Sequence, residues 1–111
     1  MVEQPVKPIA DVLAERALLG AMMVDADTIP TVAESVREGE FSRVAHRRIY
    51  TAILACYQAG EPAELITVKS RLMRDGGLEQ AGGVVYLAGL LDGIPRAANV
   101  AHYAADVRRA S

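Results

Sequence analysis

The sequence predicts an all-α fold, a compact bundle of about six short helices, and three observations carry that prediction. Apolar residues recur at three- and four-residue intervals along most of the chain. The periodic segments are separated by glycine and proline turns: Gly60, Gly76-Gly77, Gly82-Gly83 and Asp92-Gly93-Ile94-Pro95. No alternating apolar–polar run competes as a strand. With 111 residues, 51% of them hydrophobic, the chain has the size of one domain and enough apolar content for one core.

Residues 1–10, with Pro5 and Pro8, read as an N-terminal arm, and residues 11–111 as the helical domain. Asp11 is placed as the N-cap of the first helix, followed by Val12, Leu13, Ala17, Leu19 and Met23 at helical intervals. Gly20 lowers the propensity of that helix and marks a close approach to another backbone. Glu15, soon after the cap, is expected to interact favourably with the helix N-terminus. Asp25 or Asp27 caps a short second helix reaching about Val36, with Pro30 in its first turn, where a missing N–H costs little.

The third helix has the clearest pattern. Ser42 is its expected cap, and Ala45, Ile49, Ala52, Ile53 and Cys56 form the buried stripe. Phe41 suits the hydrophobic-staple position, and Gly60 supplies the left-handed residue that ends the helix. A fourth helix starts near Thr67, turns Val68 and Leu72 inward, and stops at Gly76-Gly77. Gly82-Gly83 reads as a tight junction before an apolar helix from about Val84 to Leu91. The last helix spans about Ala98 to Ala110, with Val100, Tyr103, Ala104 and Val107 on one face.

Composition narrows the function. Twelve basic and fourteen acidic residues give a net charge of −2, and ten of the twelve are arginines scattered among acids. A domain that grips DNA through phosphates presents a concentrated basic face, which this pattern does not predict. The only cysteine, Cys56, lies in an apolar helical stretch and reads as a small buried hydrophobe; a reactive thiol would need a basic neighbour that the local sequence does not supply. Neither His46 nor His102 completes a metal-ligand spacing with it. A phosphate-binding loop needs Lys after a glycine turn, yet Lys7 and Lys69 follow none. No catalytic residue, cofactor or metal is therefore assigned to this chain. His46 reads as structural, Arg47 should point outward, and Tyr86 and Tyr103 read first as core residues whose hydroxyls reach a partner or solvent. No apolar run is long enough to span a bilayer and no signal-peptide pattern opens the chain, so the expectation is a soluble, cytoplasmic protein with no membrane partner.

Several short motifs, in order, resemble one family. Leu13-Ala14-Glu15-Arg16-Ala17-Leu18-Leu19-Gly20 is similar to the opening helix of the N-terminal domain of the DnaB-type replicative helicases. Phe41, His46 and Ile49-Tyr50 follow in the family's spacing, then Gly60-Glu61-Pro62, Thr67-Val68, Leu72 and Leu78. Gly82-Gly83, Tyr86-Leu87, Pro95, Ala98-Asn99, Tyr103-Ala104 and Val107 complete the set. Glu64 stands where the family usually has Asp, which bears on the cap of the fourth helix. The family continues beyond the position of Ser111 into a helical hairpin, a linker and an ATPase motor.

The resemblance implies a non-catalytic collar domain. In this family the N-terminal domains pair and form a collar on a hexameric ring, and the C-terminal domain of a DnaG-type primase docks there. ATP, Mg²⁺ and most DNA contact belong to the motor domain. The apolar excess of the last two helices suggests an interface at Tyr86, Leu87, Leu90, Ile94 and Tyr103. The alternatives are a standalone helical adaptor that modulates such a helicase, a DNA-binding helical regulator, and an enzyme acting alone.

Overall fold

The computed structural model describes residues 9–92 and 99–110. Six α-helices are defined among them: α1 Ile9–Val24, α2 Ile29–Ser35, α3 Val44–Gln58, α4 Leu65–Arg74, α5 Gly83–Gly89 and α6 Val100–Ala110. Single 3₁₀ turns at Ala26–Thr28 and Glu38–Glu40 flank α2. No strand occurs among the described residues, and the all-α expectation holds.

The helices assemble because each presents one apolar stripe. On α1 the stripe is Leu18, Leu19 and Met22; on α3 it is Ile49, Ile53 and Cys56; on α6 it is Val100, Ala104 and Val107, all buried. These are the i, i+3, i+4 and i+7 relations that place side chains on one helical face. α6 lies along α1, α4 packs on α3, and α2 bridges α6 and α3. Each fully buried Leu or Ile in that arrangement stabilises the fold by about 1.5–3 kcal/mol through apolar surface removed from water. Gly20 is buried inside α1.

Helix ends show where local chemistry and tertiary contacts compete. α3 and α4 both end in Schellman motifs: Glu61 N–H reaches Cys56 C=O and Gly60 N–H reaches Tyr57 C=O, while Gly77 and Gly76 repeat the pair on Leu72 and Met73. Gly60 and Gly76 both sit at φ +74°, the conformation a Cβ resists. Asp25 does cap, accepting a bond from Asp27 N–H, although what it caps is the 3₁₀ turn leading into α2.

Three N-terminal expectations are corrected. α1 starts at Ile9, ahead of Asp11. α3 has Arg43, not Ser42, as its N-cap residue, because the Ser42 side chain is engaged elsewhere. α4 starts at Leu65, and Glu64, its N-cap residue, makes no side-chain capping bond; its extra methylene removes the short Asx geometry that a cap uses. The turn through Ile94 and Pro95, and the start of the last helix at Ala98, lie outside the described residues.

Candidate functional site

The most organised polar feature is buried at the junction of α1, α3 and α5. Glu15 shares the apolar face of α1 with Leu18, Leu19 and Met22 and has no exposed surface. Its Oε2 accepts hydrogen bonds from the Ser42 backbone N–H (3.0 Å) and the Ser42 hydroxyl (2.7 Å). Its Oε1 faces Nδ1 of the equally buried His46 at 2.7 Å. On the far side of that imidazole, Nε2 lies 2.6 Å from the Tyr86 hydroxyl. A carboxylate can only accept, so Nδ1 carries a ring proton; with the imidazole neutral, Nε2 accepts the Tyr86 O–H. The proton order is thereby directional, from phenol to imidazole to carboxylate.

Glu15 does interact with a helix N-terminus, but it is that of α3, approached across the core. Arg47 holds the same junction from the other side: its Nε–H donates to Phe41 C=O at 2.8 Å. It is half-buried against that turn, not directed outward. Phe41 itself is fully buried and packs on Tyr50, ring centroids 4.8 Å apart. The Tyr86 ring stacks on His46 and carries the Arg16 guanidinium over its other reach, 5.4 Å from the centroid.

Electrostatics show what this chain of groups can do. Burial by itself would raise the Glu15 carboxyl, but hydrogen bonds from His46 and from the Ser42 hydroxyl and amide outweigh it and bring the pKa from 4.5 to about 2. Burial raises the Tyr86 hydroxyl against the opposing charges of Arg16 and Arg43. A general acid or base works best with a pKa near the working pH, and here both end groups move away from neutrality. The carboxylate–imidazole–phenol chain joins α1, α3 and α5 and so positions these helices.

Tyr50 shows the same preference for structural use, donating its hydroxyl proton to Val36 C=O at 2.6 Å, with burial and then the Glu40 charge pushing its pKa up to about 12. Cys56 is fully buried, as expected. The basic neighbour missing from its local sequence comes from α4, where Arg71 pairs with Glu61 at 2.9 Å and also interacts with the Cys56 thiol, both raising the guanidinium pKa. Without solvent access, that proximity gives no reactive site. Among the described residues no cluster of three His, Cys, Asp or Glu side chains could hold a metal ion, and no helix is long and apolar enough to cross a membrane.

The five interface candidates separate. Leu87 and Leu90 are buried in the core of this chain. Tyr86 and Tyr103 are partly buried and pack against that core, and Ile94 lies outside the described residues. The apolar surface that α5 does expose is Val84 and Val85, the latter 82% accessible, a pair the sequence reading passed over.

The fold and this internal polar chain define an all-α domain whose most organised polar groups bond to one another, and comparison with known proteins says which kind. The structure superposes with a TM-score of 0.86 on the crystal structure of the N-terminal domain of DnaB helicase from Mycobacterium tuberculosis, at 42% identity over 96% of this chain and 72% of that one. The replicative DNA helicase DnaB of Mycobacterium leprae is 44% identical over 98 residues, and that of Geobacillus stearothermophilus 39% over 104. These alignments take in 88% and 94% of this chain but 16% and 23% of the helicases. The profile of the DnaB-like helicase N-terminal domain matches residues 7–109. The chain belongs to the DnaB-like helicase N-terminal domain family, and it spans less than a quarter of the length of the curated relatives it matches.

Proposed function

We propose that this chain is the N-terminal domain of a replicative DNA helicase, acting by protein contact: it pairs with other copies to build the collar of a hexameric ring and receives the C-terminal domain of a DnaG-type primase. The family match across residues 7–109 carries the reading. The internal use of every group in the Glu15–His46–Tyr86 chain agrees with a role that needs no chemistry here. ATP hydrolysis with Mg²⁺ and the main DNA contact then fall to a motor domain outside these residues, in the bacterial cytoplasm. Reading the gene past the codon for Ser111 tests this directly. A frame that continues through a helical hairpin and linker into a glycine-rich Lys-Ser/Thr loop supports it; a stop codon there overturns the motor assignment and leaves the adaptor reading.

The contact surface we propose is the α5–α6 side. The partly buried Tyr86 and Tyr103 and the exposed Val84 and Val85 form it, while Leu87 and Leu90 support it from beneath. Alanine at Leu90 would therefore report on folding. Val85→Asp is the cleaner probe, since its side chain is in solvent. It should shift the sedimentation of the chain toward monomer and weaken capture of the primase C-terminal domain while leaving the far-UV helix signal intact. Unchanged association and unchanged capture would reject this surface.

A further inference from the structure

Two hollows lie side by side on the outer face of α3, away from α5 and α6. One, of about 350 Å³, runs between α3 and α4 and is lined by Arg47, Arg48 and Arg71 above Ala52 and Leu72. The other, of about 390 Å³, runs between α3 and the end of α2, lined by Val36, Arg37, Leu54 and Gln58. Glu38, Thr51 and Ala55 line both. The hollows therefore meet across a ridge kept low by two small side chains, Thr51 and Ala55. Val44, Thr51, Ala55 and Gln58 follow one another along that ridge at i, i+7, i+11 and i+14, all exposed or half-exposed. α3 has 15 residues, so the ridge is about 22 Å long, the length of four helical turns.

Its charge differs from that of the rest of the molecule. The lining holds four arginines against Glu38 and Asp75, a balance of +2. The whole chain has twelve basic and fourteen acidic residues, which leaves eight against twelve, or −4, everywhere else. Arg47 donates to the uncharged carbonyls of Phe41 and Ser42, which leave its positive charge in the lining. Among the described residues, Arg71 is the one of the four paired with a carboxylate, that of Glu61. Val44, Leu54 and Ala55 supply an apolar floor between the arginines.

We propose that this face of α3 is a docking groove for an acidic amphipathic helix of another polypeptide. Its apolar side would lie over Val44, Thr51 and Ala55, with its carboxylates directed to Arg37 on one flank and Arg48 on the other. Spacing and chemistry match what a helix in a groove requires: apolar anchors at helical intervals and charges of opposite sign along the rim. A nucleic-acid strand fits less well. Glu38 and Asp75 would face its phosphates, and the exposed lining offers no aromatic ring on which a base could stack.

A displayed library tests the proposal: helices matched in length to α3, with Leu and Ala on one face and either Glu or Lys at each polar position, selected against the intact chain. Glu should be enriched. The selected peptides should lose about tenfold or more in affinity against Arg37→Glu/Arg48→Glu, because like charges then meet across the groove. Thr51→Trp, which raises the low ridge between the hollows, should abolish binding, and Lys-bearing peptides should gain affinity for the charge-reversed protein. All three positions are exposed, so circular dichroism should show folded variants. Enrichment of Lys, no enrichment, or binding indifferent to these substitutions would overturn the proposal. So would a single-stranded oligothymidylate that binds the wild type in a salt-sensitive manner and is lost in the same variants, which would make the face a nucleic-acid surface.

Discussion

Replacing Glu15 with Gln isolates the charge at the centre of the polar chain. Two terms set the expected loss. The fall of the Glu15 pKa from 4.5 to about 2, at about 1.4 kcal/mol per pH unit, makes the folded state about 3 kcal/mol more favourable for the ionised carboxylate than the unfolded chain is. Gln retains one acceptor oxygen, but its amide nitrogen brings donors toward Ser42 or His46, which already donate, so a buried clash of donors adds to the loss. Glu15→Gln should therefore cost about 3–4 kcal/mol at neutral pH. The sign of the pH dependence follows from the depressed pKa. The contribution is fully present above the unfolded value near 4.5 and is lost as pH falls toward 2. By about pH 3, roughly 2 kcal/mol of it should be gone. Urea unfolding followed by far-UV circular dichroism, repeated from neutral to acid pH on both proteins, measures the difference. The gap between wild type and variant should close by that amount on the acid side. A gap that stays constant with pH would show that Glu15 is not held ionised by His46 and Ser42, and the reasoning would fail.

Three further outcomes follow from the same geometry. Tyr86→Phe keeps the ring against His46 and Arg16 but removes the proton that His46 Nε2 accepts; it should cost about 1–2 kcal/mol in urea unfolding, and a neutral result would mean water replaces the hydroxyl without loss. Gly82→Ala and Gly76→Ala form a controlled pair: both glycines have positive φ, yet a Cβ at Gly82 would meet the Tyr86 ring at 2.8 Å, whereas at Gly76 it meets open space. The first should cost about 2–3 kcal/mol and the second about 1, and equal losses would show that the contact with Tyr86 has no bearing. Cys56, fully buried, should react with a thiol reagent only at the rate of unfolding, and reaction of the native protein at the speed of a free thiol would contradict its burial.

The helices were legible because apolar period and breakers agreed. The Ile49, Ile53 and Cys56 stripe, the glycine stops at Gly60 and Gly76, and the Val100, Ala104 and Val107 face all lie where the pattern put them. Helix starts were less legible. Ser42 has the right chemistry for a cap, yet Glu15, 27 residues away in sequence, takes both its donors, and no local rule can foresee a competitor that distant. A signal for the buried chain did exist. Glu15 stands at i, with Leu18, Leu19 and Met22 at i+3, i+4 and i+7, and His46 stands in the same relation to Ile49, Tyr50 and Ile53. A carboxylate and an imidazole each placed on an apolar stripe must find partners when the stripes close. Periodicity says that both are buried; only the packing angle of α1 on α3 says that they are buried together. Which apolar residues of α5 stay exposed was the least legible part. Leu87 and Leu90 read as surplus apolar area along the chain, but α5 is a single seven-residue helix and needs both to hold it on the core.

That need explains why a domain without catalysis keeps a carboxylate, an imidazole and a phenol in its interior. A helix of seven residues has too few internal bonds to be stable alone. Leu87 and Leu90 anchor α5, but burial is non-directional and fixes neither its rotation nor its slide. The Tyr86 O–H bond to His46 does fix them, since an imidazole nitrogen accepts along one direction only. His46 can be that fixed acceptor only while Glu15 holds the proton on Nδ1, and Glu15 is held in turn by Ser42 at the entrance to α3. Gly82, at φ +98° with the Tyr86 ring against its Cα, lets the chain turn tightly enough to bring Tyr86 to that spot. Each step sets the next, and the last sets which way Val84 and Val85 face. The outward surface of α5 is thus specified from the inside by hydrogen-bond direction, and loss of any one link should disturb that surface more than it disturbs the α1–α6 pair.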